Sequence, residues 1–291
     1  VLRVHMSFYS FSKVVVLIGV ILGTASGCTT AATLSTVTPT TVAPVSEKSA
    51  SIVVDGSTGA VLYQASADLP RVPASLTKMM TLYLTFEALK SGRITKTTLL
   101  PVSAHAASQA PSKLGLKPGQ TIDVDTAIKA IVVKSANDVA VVLAEYLGGT
   151  EDQFAAQMTA KARQLGMRGT NFHNASGLPD PQQITTARDM ALLGMSLRKH
   201  YPGQYYYFVT QDFVYNGRLI RGHNRVLAQL NGADGIKTGY VRASGFNIVT
   251  SISDNGRQLV AVVMGGETAR SRDAQVVSLV NAYLPQVASR F

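Results

Sequence analysis

The sequence predicts a mixed α/β (α+β) domain with antiparallel strands. Short β-branched runs face each other across glycine-bearing turns near both ends of the domain, and segments with apolar residues at helical spacing lie between them. No strand-to-helix Gly-x-Gly-x-x-Gly or phosphate-loop pattern marks a nucleotide-binding fold. Ser51–Asp55 and Ala60–Gln64 flank Gly56-Ser57-Thr58-Gly59 and read as a hairpin. Leu76, Met79, Met80, Tyr83, Leu84 and Leu89 predict an amphipathic helix over 75–91, closed by Gly92. Val139, Val142, Leu143, Tyr146 and Leu147 repeat that pattern before Gly148-Gly149, and helices are also expected over 186–199 and 271–284, the last stopped by Pro285. Strands are expected over 236–238, 246–252 and 258–264, with Asp254-Asn255-Gly256 turning the final hairpin.

Ahead of this domain, Arg3 and Lys13 precede the apolar run 14–22, and small residues then lead to the sole cysteine, Cys28. That is the layout of an export signal over 1–27, and the apolar stretch is shorter than the roughly 20 residues of a spanning helix. Ala25-Ser26-Gly27 before Cys28 resembles the bacterial lipoprotein signal, with Ala25 where that signal usually carries Leu, which makes Cys28 a candidate lipid anchor to a membrane. The same small residues also suit ordinary signal peptidase, and both alternatives export the protein to the periplasm or the envelope face of a bacterial membrane. Residues 28–46, uncharged and rich in Thr, Ala and Pro, read as a flexible tether reaching at most about 60 Å, and the folded domain is expected over 47–291.

The 291 residues are 46% hydrophobic and 15% charged, enough to bury a full core. A lone cysteine excludes an intramolecular disulfide and a Cys-rich zinc site, and the five histidines show no pair at metal spacing, so neither metal nor cofactor is expected. Removing 1–27 leaves 25 cations against 17 acids, or +8, which favours anionic partners; with no basic run or stripe and with export, nucleic acid is not expected among them. Tyr205-Tyr206-Tyr207 reads as an aromatic strand, and His105, His173, His200 and His223 as surface or capping residues.

Ser75-Leu76-Thr77-Lys78 puts a hydroxyl and an amine three residues apart, on one face of a helix, a nucleophile beside a possible base. Taken alone, Ser75 could equally be a helix cap. Ser135-Ala136-Asn137 lies 60 residues on and Lys237-Thr238-Gly239 a further 102, the triple set associated with penicillin-binding proteins and class A β-lactamases.

With these motifs, and with Gly169-Thr170-Asn171-Phe172, Thr186-Ala187-Arg188-Asp189-Met190, Asp234-Gly235-Ile236 and Val263-Met264-Gly265-Gly266, the chain resembles the serine D-alanyl-D-alanine carboxypeptidases, the low-molecular-mass penicillin-binding proteins, over roughly 47–291. The resemblance implies a β-lactamase/transpeptidase-like fold, an antiparallel sheet flanked by helices with a mainly helical subdomain. It implies Ser75 as nucleophile, Lys78 as base, Ser135 and Asn137 in the proton network and substrate amide site, and the backbone N–H groups of Ser75 and Tyr240 as oxyanion hole. Lys237, Thr238, Gly239, Tyr240 and Arg272 would bind substrate, with Arg270 an alternative to Arg272 for its carboxylate. The implied partners are peptidoglycan stem peptides, with β-lactam antibiotics as covalent inhibitors. No glutamate lies between Glu151 and Glu267, where a class A β-lactamase needs one near 171, so penicillin is expected to inhibit. Larger carboxypeptidases of the family continue into a second domain, whereas six residues follow Pro285, which keeps D,D-endopeptidase action open as the alternative; a β-lactamase or a non-catalytic wall-binding protein fits the motifs less well.

Overall fold

The computed structural model describes residues 47–290. The signal, the tether and Cys28 lie outside the described residues. From its start the chain forms β1 (Ala50–Asp55) and β2 (Val61–Ala65), then a 3-10 turn over Ala74–Thr77 that leads into α1 (Lys78–Lys90). β3 (Leu99–Pro101), α2 (Ala104–Ser108), β4 (Thr121–Asp123) and α3 (Val124–Lys129) follow. A π turn over Ala130–Lys134 precedes α4 (Asn137–Gly148) and α5 (Glu151–Gln164). After α6 (Ala187–His200) come the small hairpin of β5 (Asp212–Tyr215) and β6 (Arg218–Arg221), the long strands β7 (Ala233–Val241), β8 (Gly245–Asp254) and β9 (Arg257–Gly266), and α7 (Ala269–Tyr283).

The main sheet has the order β2-β1-β9-β8-β7, and every pairing in it is antiparallel, as expected. β1 pairs with β9, so the first and last strands meet inside the sheet, with β2 and β7 on its edges. Alternation along β9 sends Leu259, Ala261 and Val263 to the face covered by Val276 and Val280 of α7, and Val260, Val262 and Met264 to the opposite core. Both faces are covered, which is why β9 reads as a continuous apolar run over Leu259–Met264, while β8 also buries the polar Asn247, Thr250 and Ser251.

The helical part gathers around α4, whose residues Val139–Ala144 are fully buried. At about 1.5–3 kcal/mol for each fully buried Val or Leu, this packing makes α4 a rigid mount for the residues at its start. α1 differs from the amphipathic expectation. Lys78–Phe86 is buried all round, because α1 runs between α6 on the sheet side and α4 and α5 on the other. Tyr205–Val209 is a 3-10 turn and not a strand: Tyr205 and Tyr207 turn into the core while Tyr206 stays exposed.

Candidate active site

A cleft of about 380 Å³ opens between the edge strand β7 and the helical part, and Ser75, Ser135, Asn137, Thr238, Gly239, Tyr240 and Arg272 all line it. Lys78 and Lys237 lie just beneath, both buried. The three motifs therefore converge, each delivered by a different piece of local structure.

The first motif sits in the 3-10 turn ahead of α1. Ala74 takes a left-handed φ of 50°, a strained conformation for a residue with a Cβ, directly before Ser75. Ser75 makes no side-chain cap bond, so the capping alternative is not realised. Two glycines let backbone press against this turn. A Cβ on Gly177 (φ +86°) would fall 1.9 Å from Ala74 O, and one on Gly239 would fall 3.0 Å from Ser75 N. Asn247 of β8 ties the approach to the sheet by donating to Val72 O and Pro73 O at 3.1 and 3.2 Å.

Lys78 Nζ lies 3.3 Å from Ser75 Oγ, 2.7 Å from Asn137 Oδ1, and in hydrogen-bond contact with Ser176 O. Asn137 Nδ2 donates to Ala110 O at 2.8 Å, which fixes the amide with Oδ1 toward the lysine. Burial, and then repulsion from Lys237, hold the Lys78 amine well below the ordinary lysine range, while Asp138 and Glu151 oppose that shift. Asn137 Oδ1 and Ser176 O can only accept. When Lys78 is neutral, its two N–H groups satisfy them and its lone pair is left for the Ser75 hydroxyl, an arrangement that permits proton transfer from Ser75 to Lys78.

Ser135 ends the π turn in the left-handed region (φ 58°, ψ 38°), and α4 starts two residues later. Its Oγ is buried without a hydrogen-bond partner among the described residues. No hydrogen bond joins Ser135 to Lys78, whose nitrogen is in contact with Ser75, Asn137 and Ser176. Ser135 itself lines the cleft.

On the opposite wall, Lys237 donates to Thr238 O at 2.8 Å and is pushed down to about 7 by burial and by Arg272. Arg272, on α7, is buried; Nη1 donates to Asn247 O and Nε to Asp273 Oδ1, both at 2.8 Å. Arg270 is exposed and lines no part of the cleft, which separates the two candidate arginines. The Tyr240 ring packs on Phe246 at a centroid distance of 4.2 Å and adds an apolar wall that its backbone role did not foresee.

Several contributors carried no motif. His223 and Arg225 line the cleft, His223 with its imidazole pushed below the ordinary range by burial and then by Lys237 and Lys134. Asp138 spreads its buried carboxylate over the N–H groups of Leu114, Gly115, Leu116 and Val139 at 2.8–3.1 Å, mooring the loop that presents Pro111 and Ser112 to the cleft. The aspartate adjoining the Ser-x-Asn motif was the available signal. A second basin of about 400 Å³ shares Gly222, His223 and Arg225 with the cleft.

Comparison with known proteins agrees with this geometry. The D-alanyl-D-alanine carboxypeptidase family (peptidase family S11) matches residues 36–268. The D-alanyl-D-alanine carboxypeptidase DacA of Escherichia coli K12 is 35% identical over 237 residues, covering 79% of this chain but 59% of the relative, so the chain spans about three-fifths of its length. The crystal structure of the D-alanyl-D-alanine carboxypeptidase DacD from Francisella tularensis superposes with a TM-score of 0.79 at 30% identity, over 81% of this chain and 70% of that one. Penicillin-binding protein D2 from Listeria monocytogenes, solved in an ampicillin-bound form, gives a TM-score of 0.69 at 27% identity, over 80% and 95% of the two chains. With the antiparallel sheet, the helical part and three converging motifs in place, the chain belongs to the D-alanyl-D-alanine carboxypeptidase family of serine peptidases.

Proposed function

We propose that the protein is a serine D,D-carboxypeptidase that removes the terminal D-alanine from peptidoglycan stem pentapeptides. The observation that carries the reading is the arrangement around Lys78, a buried amine whose only contact among the described residues able to give it a proton is Ser75 Oγ. In this reading Ser75 Oγ bonds to the carbonyl carbon between the two D-alanines as its proton passes to Lys78. The negative charge on the carbonyl oxygen meets the backbone N–H groups of Ser75 and Tyr240. The C–N bond then breaks, the departing amine takes the proton back, and water, deprotonated by the same lysine, hydrolyses the ester. Ser135, which lines the cleft and whose Oγ has no hydrogen-bond partner among the described residues, is suited to relay the proton to the departing nitrogen. Arg272, Lys237 and Thr238 would read the terminal carboxylate, and the free edge of β7 suits an extended peptide as an added strand.

β-Lactams would acylate Ser75 as substrate mimics and leave slowly, because no glutamate occurs between Glu151 and Glu267 to activate a second water. The export signal and the substrate together point to the cell envelope, with Cys28 as the lipid attachment point; among the described residues no helix is long and apolar enough to cross a membrane. Mass spectrometry of the processed amino terminus tests the anchor: diacylglycerol on Cys28 supports it, and an unmodified Cys28 rejects it.

A second reading, D,D-endopeptidase action on cross-links with the same residues, is favoured by the second basin beyond His223 and Arg225, which offers room past a single leaving alanine. Chromatography of cell-wall fragments after incubation separates the two. Release of D-alanine from pentapeptides, lost in Ser75→Ala, supports the carboxypeptidase, whereas conversion of cross-linked dimers to monomers without that release replaces it with the endopeptidase.

A further inference from the structure

Lys78 is aimed in part by a backbone carbonyl, Ser176 O, and a carbonyl is only as well placed as the segment that carries it. That segment is pinned at Ala175 from two sides. Ala175 O accepts from Thr81 Oγ1 at 2.7 Å, almost one turn along α1 from Lys78, and Ala175 N donates to Glu151 Oε1 at 3.0 Å. Asn174 Oδ1 tightens the turn by accepting from Gly177 N at 2.7 Å and Ser176 N at 3.2 Å. The other oxygen of Glu151 accepts from His105 Nε2 at 2.8 Å.

Glu151 stands in the first turn of α5, where the helix dipole favours an acid. Asp152 beside it serves that purpose from solvent, but the Glu151 side chain is only 12% exposed and points inward to Ala175. The dipole does not account for that orientation. Glu151 lines no part of the cleft.

We propose that Glu151 is a positioning residue for Lys78: its carboxylate holds Ala175, and the next residue's carbonyl then orients the amine toward Ser75. The inference rests on Ser75 and Lys78 acting as nucleophile and base. The charges bearing on Lys78 are Lys237, Asp138 and Glu151, with His105 facing Glu151 from α2. Because the Glu151 charge favours the ammonium form, its removal lowers the proton affinity of Lys78 further. The acid limb of the rate profile then moves to lower pH, since the base stays neutral further down.

The test is the rate of acylation by a fluorescent penicillin against pH, on the full chain, for Glu151→Ala, Glu151→Gln and Ser75→Ala. Glu151→Ala is expected to acylate about tenfold or more slowly at neutral pH, with unchanged labelling at saturation. Glu151→Gln retains an oxygen for Ala175 N and is expected to recover most of that rate, while both variants share the lowered acid limb. Parent-like acylation with an unmoved limb in Glu151→Ala overturns the positioning role, as does a slow Glu151→Gln variant of parental melting temperature. Labelling that persists in Ser75→Ala overturns the underlying reading instead, so the two failures are distinct.

Discussion

Asn137 Oδ1 stands 2.7 Å from Lys78 Nζ, while Nδ2 of the same amide donates to Ala110 O at 2.8 Å. The side chain therefore works as a neutral acceptor with a fixed orientation. An aspartate at this position would set a full negative charge against the amine and favour its protonated form. Asn137→Asp should raise the acid limb of penicillin acylation by about 1–3 pH units and slow the reaction at neutral pH. Stopped-flow acylation across pH checks this, and a limb that stayed in place would remove Lys78 as the titrating base.

Arg272 and Arg270 are separated by one residue on α7, yet only Arg272 faces the cleft. Arg272→Ala should raise KM about tenfold or more for a peptide ending in a free carboxylate, and far less for the same peptide ending in an amide. Arg270→Ala should leave both unchanged. Steady-state kinetics on the two peptides decides, and an equal loss on both would assign Arg272 to folding and not to recognition.

Asp138 predicts a loss of stability. Its two oxygens accept four backbone N–H groups, and Leu116 and Val139 among them are buried. Asp138→Ala strands these donors and should cost about 3 kcal/mol or more, whereas Asp138→Asn keeps one acceptor and should cost less. Denaturant titration measures the difference; equal, small losses would show that the loop at 114–116 is held by something else.

How much was legible follows from what a letter can encode. Ser75, Lys78, Asn137 and Thr238 are proposed to act through side chains, and short motifs brought them out of the sequence; Arg272 came only from the family resemblance, with Arg270 open beside it. Ser176 acts on Lys78 through its carbonyl, which every residue possesses, so no pattern could single it out. β7, β8, β9, α1, α4, α6 and α7 fell within a few residues of their observed ends, whereas α5 was not expected at all. The burial of α1 all round was hidden because it depends on partners remote in the chain. Other signals were present and unread: Asn216-Gly217, both at positive φ, turns the β5–β6 hairpin, and Thr150 caps α5 ahead of the spaced residues Phe154, Met158 and Ala162.

Lys237, proposed to read the substrate carboxylate, would tie that role to stability through pH. Burial and Arg272 push its amine down to about 7, whereas an unfolded chain would hold that proton up to the ordinary lysine value of 10.5. Between these values the unfolded state binds more protons, so stability rises with pH across that window and its penalty is fully present below about pH 7. A shift of this size corresponds to an upper bound on the order of 5 kcal/mol. Lys237→Met removes the titration, so the variant should be more stable than the parent at pH 7, with the gap narrowing toward pH 10. The recognition of a carboxylate runs the other way, because it needs the cation: KM for a carboxylate-ended peptide should rise as pH passes upward through about 7 in the parent, and start high and stay flat in Lys237→Met. Denaturation midpoints and KM values measured on the same two proteins across this range test both halves. A parent whose stability relative to Lys237→Met did not change with pH would mean that Lys237 keeps its proton in the folded enzyme, held by the wall of the cleft.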